Sequence, residues 1–380
     1  MRKLFEPYTL RSVAMKNRIV ISPMCTYSAA ADGLVNDWHF VHYGKLAVGG
    51  AGLVMLEATS ILAEGRHCYS DLGIWGDQHV APLRRVAAFI KAQNCVPALQ
   101  LQHAGRKASA GRPWHGAKPL DEEDVRLRGE HPWQTVGPSP LPYTKGAPVP
   151  SELSVAQMRE LTVAWVDATR RALEAGFEVL EVHAAHGYLL NQFLSPLSNV
   201  RTDAYGGSLA GRMRWPLEVI QAVRDAWPHD KPLFVRVSCV DGTEEGGWTL
   251  DETVSFAREL KDLGVDLVDC SSGGIGGSAT MNRLARSPGF QVPFAERVRH
   301  EVGIPTIAVG LIMTPELAAD IIDAGQADLV AIGREALADP NWPCVAGTKL
   351  QPERGYADWP APNSWWLDKR AQILKSAQSL

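Results

Sequence analysis

The sequence predicts an α/β protein, a (β/α)8 TIM barrel in a single domain with a long loop after the third strand. Three observations carry this. Short runs rich in Val, Ile and Leu recur at Ile19–Ser22, Leu53–Glu57, Val96–Leu101, Val179–Val182, Leu233–Val237, Leu267–Cys270, Thr306–Val309 and Leu329–Ile332, eight candidate strands in all. Runs this apolar suit parallel strands covered on both faces. Longer amphipathic segments alternate with them, as repeated βαβ units require. The length of 380 residues fits one barrel with insertions.

The intervening helices have legible ends. Val80–Ala92 places apolar residues at helical spacing, with Asp77 as the expected N-cap. Ser154–Ala175 opens on a serine, repeats Ala164, Trp165, Ala168 and Ala172 on one face, and stops at Gly176. Leu250–Leu263 closes with Gly264. Pro315–Ala324 closes with Gly325 and opens with Thr314 before proline, a cap followed by a residue preset for the first turn. The stretch 104–152 is rich in Pro, Gly and charge and shows no period, so it reads as an irregular lid. Following the third strand, it would cover the C-terminal face, where barrel active sites lie. Residues 355–380 read as a C-terminal tail of the one domain, 1–380.

Composition narrows the function classes. The formal net charge is −4 and no Lys or Arg block dominates any stretch, so no nucleic-acid partner is expected. Cys25, Cys68, Cys95, Cys239, Cys270 and Cys344 are scattered, which suits reduced thiols rather than a disulfide framework. There is no apolar run long enough to span a bilayer and no signal-like start, so a cytoplasmic protein without a membrane partner is expected.

The densest cluster of chemistry is Val182-His183-Ala184-Ala185-His186-Gly187-Tyr188. His183 ends the fourth strand, and His186 and Tyr188 fall in the loop leaving it. Two imidazoles and a phenol at a strand end are suited to binding a carbonyl oxygen and donating a proton. His-x-x-His is also metal-like spacing, but no H-E-x-x-H or carboxylate cluster accompanies it, and no metal is expected. Arg236 puts a permanent charge on the fifth strand, either for an anion or for an ion pair inside the barrel. Gly310 follows the seventh strand and Gly333-Arg334 the eighth, where barrels of this kind build phosphate sites. Gly274-Ile275-Gly276-Gly277-Ser278-Ala279 fits a dinucleotide fingerprint, but no helix opens there; it reads as a flexible loop after strand six.

With Ser22-Pro23-Met24-Cys25-Thr26-Tyr27 at the first strand's end and Ser195-Pro196, Asn199, Arg201-Thr202-Asp203 and Tyr205-Gly206-Gly207-Ser208 downstream, the chain resembles the old yellow enzyme family. Cys25, Tyr27 and a histidine at 186 match its xenobiotic-reductase or thermophilic-like branch. The resemblance runs from Leu4 to Pro362. It implies an FMN-dependent NAD(P)H dehydrogenase, an oxidoreductase acting as an ene-reductase on α,β-unsaturated carbonyl, nitro or imide compounds in a ping-pong cycle, with NADPH or NADH as reductant. Ser22, Pro23, Met24 and Cys25 would line the flavin, Ala58 and Gln100 would contact its ring, Arg236 would sit near N1, and Gly310, Gly333 and Arg334 would cradle the phosphate. His183 and His186 would hold the substrate oxygen, Tyr188 would deliver a proton and Tyr27 would touch the substrate. Taken without the family, spacing alone favours Cys25 as a small buried hydrophobe.

The family also implies a homodimer or higher oligomer in which a C-terminal aromatic enters the neighbour's site. Trp366, or Trp365, is the candidate; the alternative is a tail packed on its own barrel. Gly211, where the family usually has Asn, is expected to loosen a helix start. Rival readings are an iron–sulfur dehydrogenase, which lacks its cysteine cluster here, a flavin-binding sensor, and a flavin-free barrel lyase.

Overall fold

The computed structural model describes residues 2–243, 246–276 and 284–377. Its centre is a closed barrel of parallel strands: β1 (Ile19–Ile21), β2 (Leu53–Ser60), β3 (Val96–Gln102), β4 (Val179–Ala184), β5 (Leu233–Ser238), β6 (Leu267–Ser271), β7 (Thr306–Ala308) and β8 (Leu329–Ile332). Each pairs with its sequence neighbour and β8 closes on β1, with Val330 opposite Ile19. These are the eight predicted runs. Their ends move by up to a few residues, because the ladder and not hydrophobicity decides where a strand stops.

The barrel separates two cores. Inside its N-terminal half, Val20, Leu53, Met55, Ala98, Val179, Phe234, Leu267, Ile307 and Leu329 pack on one another. The antiparallel hairpin Tyr8–Leu10 and Val13–Met15, not anticipated from the sequence, inserts Val13 and Met15 into that cluster. The lower mouth is thus plugged with apolar side chains. Outside, the strands' other faces meet the helices around Trp165, Trp215, Phe177 and Leu180, all buried. Buried apolar area of this kind is the main stabilising term of the fold.

Helix ends follow their capping chemistry. Ser154 caps Val155–Glu174 by accepting from the Gln157 N–H, and Thr314 caps Pro315–Asp323 through the Leu317 N–H. Asp77 does not cap the helix Val80–Ala92: a 3-10 turn, Asp77–His79, intervenes, and the Asp77 carboxylate instead accepts from Arg171 at 2.8 Å. Gly211 does not loosen its helix. Ser208 caps Leu209–Ala226 through the Gly211 N–H, and a Cβ at 211 would collide with the Gly206 carbonyl, so glycine is what lets the first turn seat.

The stretch after β3 is largely irregular in backbone, as its composition predicts, yet it is not without structure. It holds the helix Glu122–Arg128, capped by Asp121, and a parallel bridge between Val136–Gly137 and Ser151–Glu152. Contacts with distant residues fix it: Arg201 donates to the carbonyls of Pro138 (3.0 Å) and Leu153 (2.7 Å), and the stretch's own Trp133 donates to the Glu64 carbonyl at 2.8 Å. These contacts span distant sequence, so no local period announces them. No helix among the described residues is long and apolar enough to cross a membrane.

Candidate active site

The upper half of the barrel interior is polar. Gln100, Glu181, His183, Arg236 and Asp269 replace the aliphatic side chains found below, all of them buried. Ladder register sets them side by side, Gln100 with Glu181, His183 with Arg236, and Arg236 with Asp269. Gln100 donates its amide to Glu181 at 2.7 Å. The Arg236 Nε lies 3.3 Å from an Asp269 oxygen without hydrogen-bond geometry, and its Nη1 donates to the Ser22 hydroxyl at 3.2 Å. Burial raises both carboxyl groups, and each also opposes the other's ionisation or is steadied by Arg236.

Above this layer a cleft opens at the C-terminal ends of the strands. Ser22, Pro23, Met24, His186, Arg236, Gly310, Gly333 and Arg334 all line it, so the structure brings most of the predicted cofactor residues together. Gly310 has φ +117, and a Cβ there would meet the Gln291 amide at 2.8 Å. Gln291, whose amide donates to the Val309 carbonyl and whose oxygen accepts from Ser272, escaped the sequence reading, as did Arg286 on the cleft's rim. Neither sits in a recognisable motif; their distant neighbours bring them here.

His183, His186 and Tyr188 form one cluster. The two imidazole centroids are 5.1 Å apart and the Tyr188 ring lies 5.0 Å from His183. The Ala185 N–H points at His183 Nδ1 at 3.3 Å, which makes Nδ1 the acceptor and leaves the proton of the neutral ring on Nε2. His186 spends Nε2 on the Ser271 hydroxyl at 2.7 Å and adopts φ +59, held by its N–H to Ser238 at 2.9 Å. Burial, then the positive charge of Arg236, holds both imidazoles well below the usual histidine range. They are therefore neutral hydrogen-bonding groups at ordinary pH. Burial, then Cys25 and Tyr27, keeps the Tyr188 phenol protonated far above its ordinary value.

Close approach explains the glycines here. Gly187 and Gly274 abut so tightly that a Cβ on either would strike the other's loop. The start of the fingerprint-like run thus packs against the histidine turn. Its Gly277, Ser278 and Ala279 lie outside the described residues. Lys107 bridges the same loops, donating to the carbonyls of His186 (2.9 Å) and Gly274 (3.0 Å) with its ammonium 5.8 Å from the Tyr188 ring. Burial lowers it to about 7.

Cys25 is half-buried, and Ala58 is buried at the β-bulge of β2. Burial, then Asp71 and Glu57, pushes the Cys25 thiol well up, while the Ala58 backbone and Tyr27 hydrogen-bond it. Tyr27 has φ +50, and its ring meets His67 at 6.1 Å and Trp114 at 5.9 Å, the latter carried by the stretch after β3. Glu57, read only as a strand end, fixes this corner: its carboxyl accepts from the Thr26 N–H, the Thr26 hydroxyl and the Tyr43 hydroxyl, each at 2.8 Å. Trp365 and Trp366 do not join the chain's own cleft, nor do they pack on its own barrel. They are 55% and 68% exposed on the helix Ala361–Ala377, which buries no residue.

The model of the NADH:flavin oxidoreductase / NADH oxidase family matches residues 3–353. An NADPH dehydrogenase of Geobacillus thermodenitrificans (strain NG80-2) is 44% identical over 348 residues, covering 91% of this chain and 94% of that protein. One of Bacillus cytotoxicus is 43% identical over 349 residues, covering 92% and 93%. Among solved structures, morphinone reductase superposes with a TM-score of 0.73 at 28% identity over 94% of this chain and 96% of that one. A 2-naphthoyl-CoA reductase shares the fold with a TM-score of 0.80 at 24% identity over 93% of this chain, which spans 53% of that chain's length.

Proposed function

The chain belongs to the NADH:flavin oxidoreductase / NADH oxidase family, the old yellow enzyme family, and from that premise we propose that it is an ene-reductase. It is an FMN-dependent NADPH dehydrogenase by family. The finer reading concerns its oxidant: the C=C bond of an α,β-unsaturated carbonyl, nitro or imide compound, reduced in a ping-pong cycle. The observation that carries it is the trio of His183, His186 and Tyr188, two neutral hydrogen-bonding imidazoles beside a phenol that keeps its proton.

The residues present fit a flavin phosphate. Arg236, Arg286 and Arg334 line one cleft, the Arg236 Nε has no hydrogen bond among the described residues, and Gly310 and Gly333 leave backbone open at its wall. Guanidinium groups and bare backbone suit a planar anionic ligand. Ser22, Pro23, Met24, Cys25, Ala58, Gln100 and Arg236 would face the ring, and Gly310, Gly333 and Arg334 the phosphate. Bound FMN supplies the two-electron centre that accepts from NADPH or NADH and gives to the alkene.

The chain's own residues then act on the alkene substrate. His183, whose Nε2 carries the proton, donates to the carbonyl or nitro oxygen. His186 offers the same atom a second hydrogen bond through Nδ1, provided Ser271 donates to its Nε2. Together they stabilise negative charge that grows on that oxygen as Cβ is reduced. Tyr188 then gives its phenolic proton to Cα. Tyr27 and Trp114 border the entering substrate, and Cys25 modulates the flavin edge. The chain works as a homo-oligomer, with Trp366 offered to a neighbouring copy.

Anaerobic visible spectroscopy tests this reading. NADPH should bleach the flavin band and 2-cyclohexenone should restore it in stoichiometric amount. A flavin restored by oxygen but not by enones or nitroalkenes would keep the family and overturn the substrate class.

A further inference from the structure

We propose that His67, Cys68 and Asp71 form a binding site for a divalent ion of the zinc class, one the flavin chemistry does not require. One short loop after β2 supplies all three ligand types, with one ligand atom of each within 4.8 Å of the others. Ligand atoms around a tetrahedral zinc lie about 3.3–3.8 Å apart, so small side-chain rotations close the set. Cysteine, carboxylate and imidazole are the donors that such an ion takes, and three protein ligands leave a fourth position for water.

The local bonding suits a cation. The Cys68 thiol points at Asp71 Oδ1 at 3.3 Å, so a proton now occupies the space between two prospective ligands. Asp71 Oδ2 accepts from the His67 N–H at 2.6 Å, which fixes the carboxylate's orientation, as the partners of metal ligands usually do. The His67 Nδ1 is buried without a hydrogen bond among the described residues. Asp71 is buried and makes no ion pair among them. Burial raises Asp71 to about 6, and its charge in turn adds to the burial that raises Cys25 at β1's exit and Glu57 on β2. Arg66 and Lys107 are the cations nearby. Arg66 donates to the carbonyls of Ala63 and Ala31, and Lys107 to those of His186 and Gly274.

A dication would neutralise this pocket. Binding displaces the Cys68 thiol proton to solvent, so affinity should rise with pH. The His67 ring stands 6.1 Å from Tyr27 and 6.4 Å from Tyr188, so the ion would pin an imidazole at the edge of the substrate space. Slower alkene turnover in its presence is a corollary that rests on the proposed role of Tyr188; the binding itself does not.

The test titrates the flavin-loaded enzyme anaerobically with Zn2+ by calorimetry, and with Co2+ by the ligand-field bands to the red of the flavin. One equivalent should bind, with the intense bands of a thiolate-ligated cobalt. Cys68→Ser should remove those bands, and His67→Ala, at a half-buried position, should weaken Zn2+ at least tenfold. An unchanged flavin spectrum in both variants reports that they fold. Absence of stoichiometric binding at micromolar ion, or binding that survives both substitutions, would overturn the site, whatever the enzyme does with enones.

Discussion

A Tyr188→Phe enzyme should fold, bind flavin and accept electrons from NADPH normally, and should be slow only when an alkene is the oxidant. The phenolic oxygen makes no hydrogen bond to any described residue, while the ring's contacts with His183 (5.0 Å), His67 (6.4 Å) and the Lys107 ammonium (5.8 Å) survive in phenylalanine. Stability should therefore shift by no more than about 0.5 kcal/mol. A positioned general acid contributes about 10²–10⁴ in rate. The lower end is expected here because water can protonate an enolate, and a loss of about 10² corresponds to about 2.7 kcal/mol of barrier. The phenol holds its proton well above its ordinary value, so the wild-type alkene step should be flat with pH through neutrality. Anaerobic stopped-flow separates the halves: bleaching by NADPH, then recovery with cyclohexenone. Recovery within about threefold of wild type would refute the proton-donor assignment. Equal losses in both halves would recast Tyr188 as a residue that shapes the site.

Three further perturbations read other parts of the site. His186 sits at φ +59 with Nε2 bonded to Ser271, so His186→Asn, which tolerates that backbone and keeps a donor, should retain more enone turnover than His186→Ala; steady-state kinetics with the order reversed would sink the oxygen-binding role. Gly310→Ala forces a Cβ to 2.8 Å from the Gln291 amide at φ +117, and should cost about 1–3 kcal/mol and release FMN, read as flavin lost on gel filtration. Glu57 is raised to about 7 by burial, so the stability it gains by staying protonated is complete below about 4.5 and lost as pH rises through about 7. Glu57→Gln should flatten the fall in Tm across that window, and an unchanged slope would show that another group titrates there.

What was legible from the chain is what local physics dictates. Parallel strands buried on both faces announce themselves as apolar runs, and Ser154 and Thr314 mark helix starts because only their side chains can satisfy free N–H groups there. His183 and Arg236 stood out because a polar side chain on such a run needs a reason. Tertiary closure hid the rest. The hairpin that plugs the barrel is two short segments whose purpose appears only when Val13 and Met15 join the cluster that holds Phe234 and Leu267. Asp77 looked like a cap until the 3-10 turn sent its carboxylate to Arg171. The stretch after β3 looked structureless because its order comes from Arg201 and Glu64, far away in sequence. Glu57, Trp114 and Gln291 each sit in unremarkable local sequence and gain meaning from what touches them.

Arg236 shows why two rival sequence readings can both describe one residue. It lies at ion-pair distance from Asp269 and also faces the cleft, with Nη1 on Ser22. A lone guanidinium in this layer would be costly to bury, and a fully compensated one would have no charge left for a ligand. The layer avoids both. Asp269 and Glu181 share one cation, and burial raises both carboxyl groups, favouring a proton on one of them. Gln100 holds Glu181 in place by its amide, as a neutral donor that adds no charge of its own. The guanidinium is thereby fixed on its Asp269 side, while its Ser22 side remains at the wall where the ring of FMN would lie. The ion pair is what makes the charge affordable at that depth, and the proposed anion-facing role would follow from it instead of competing with it.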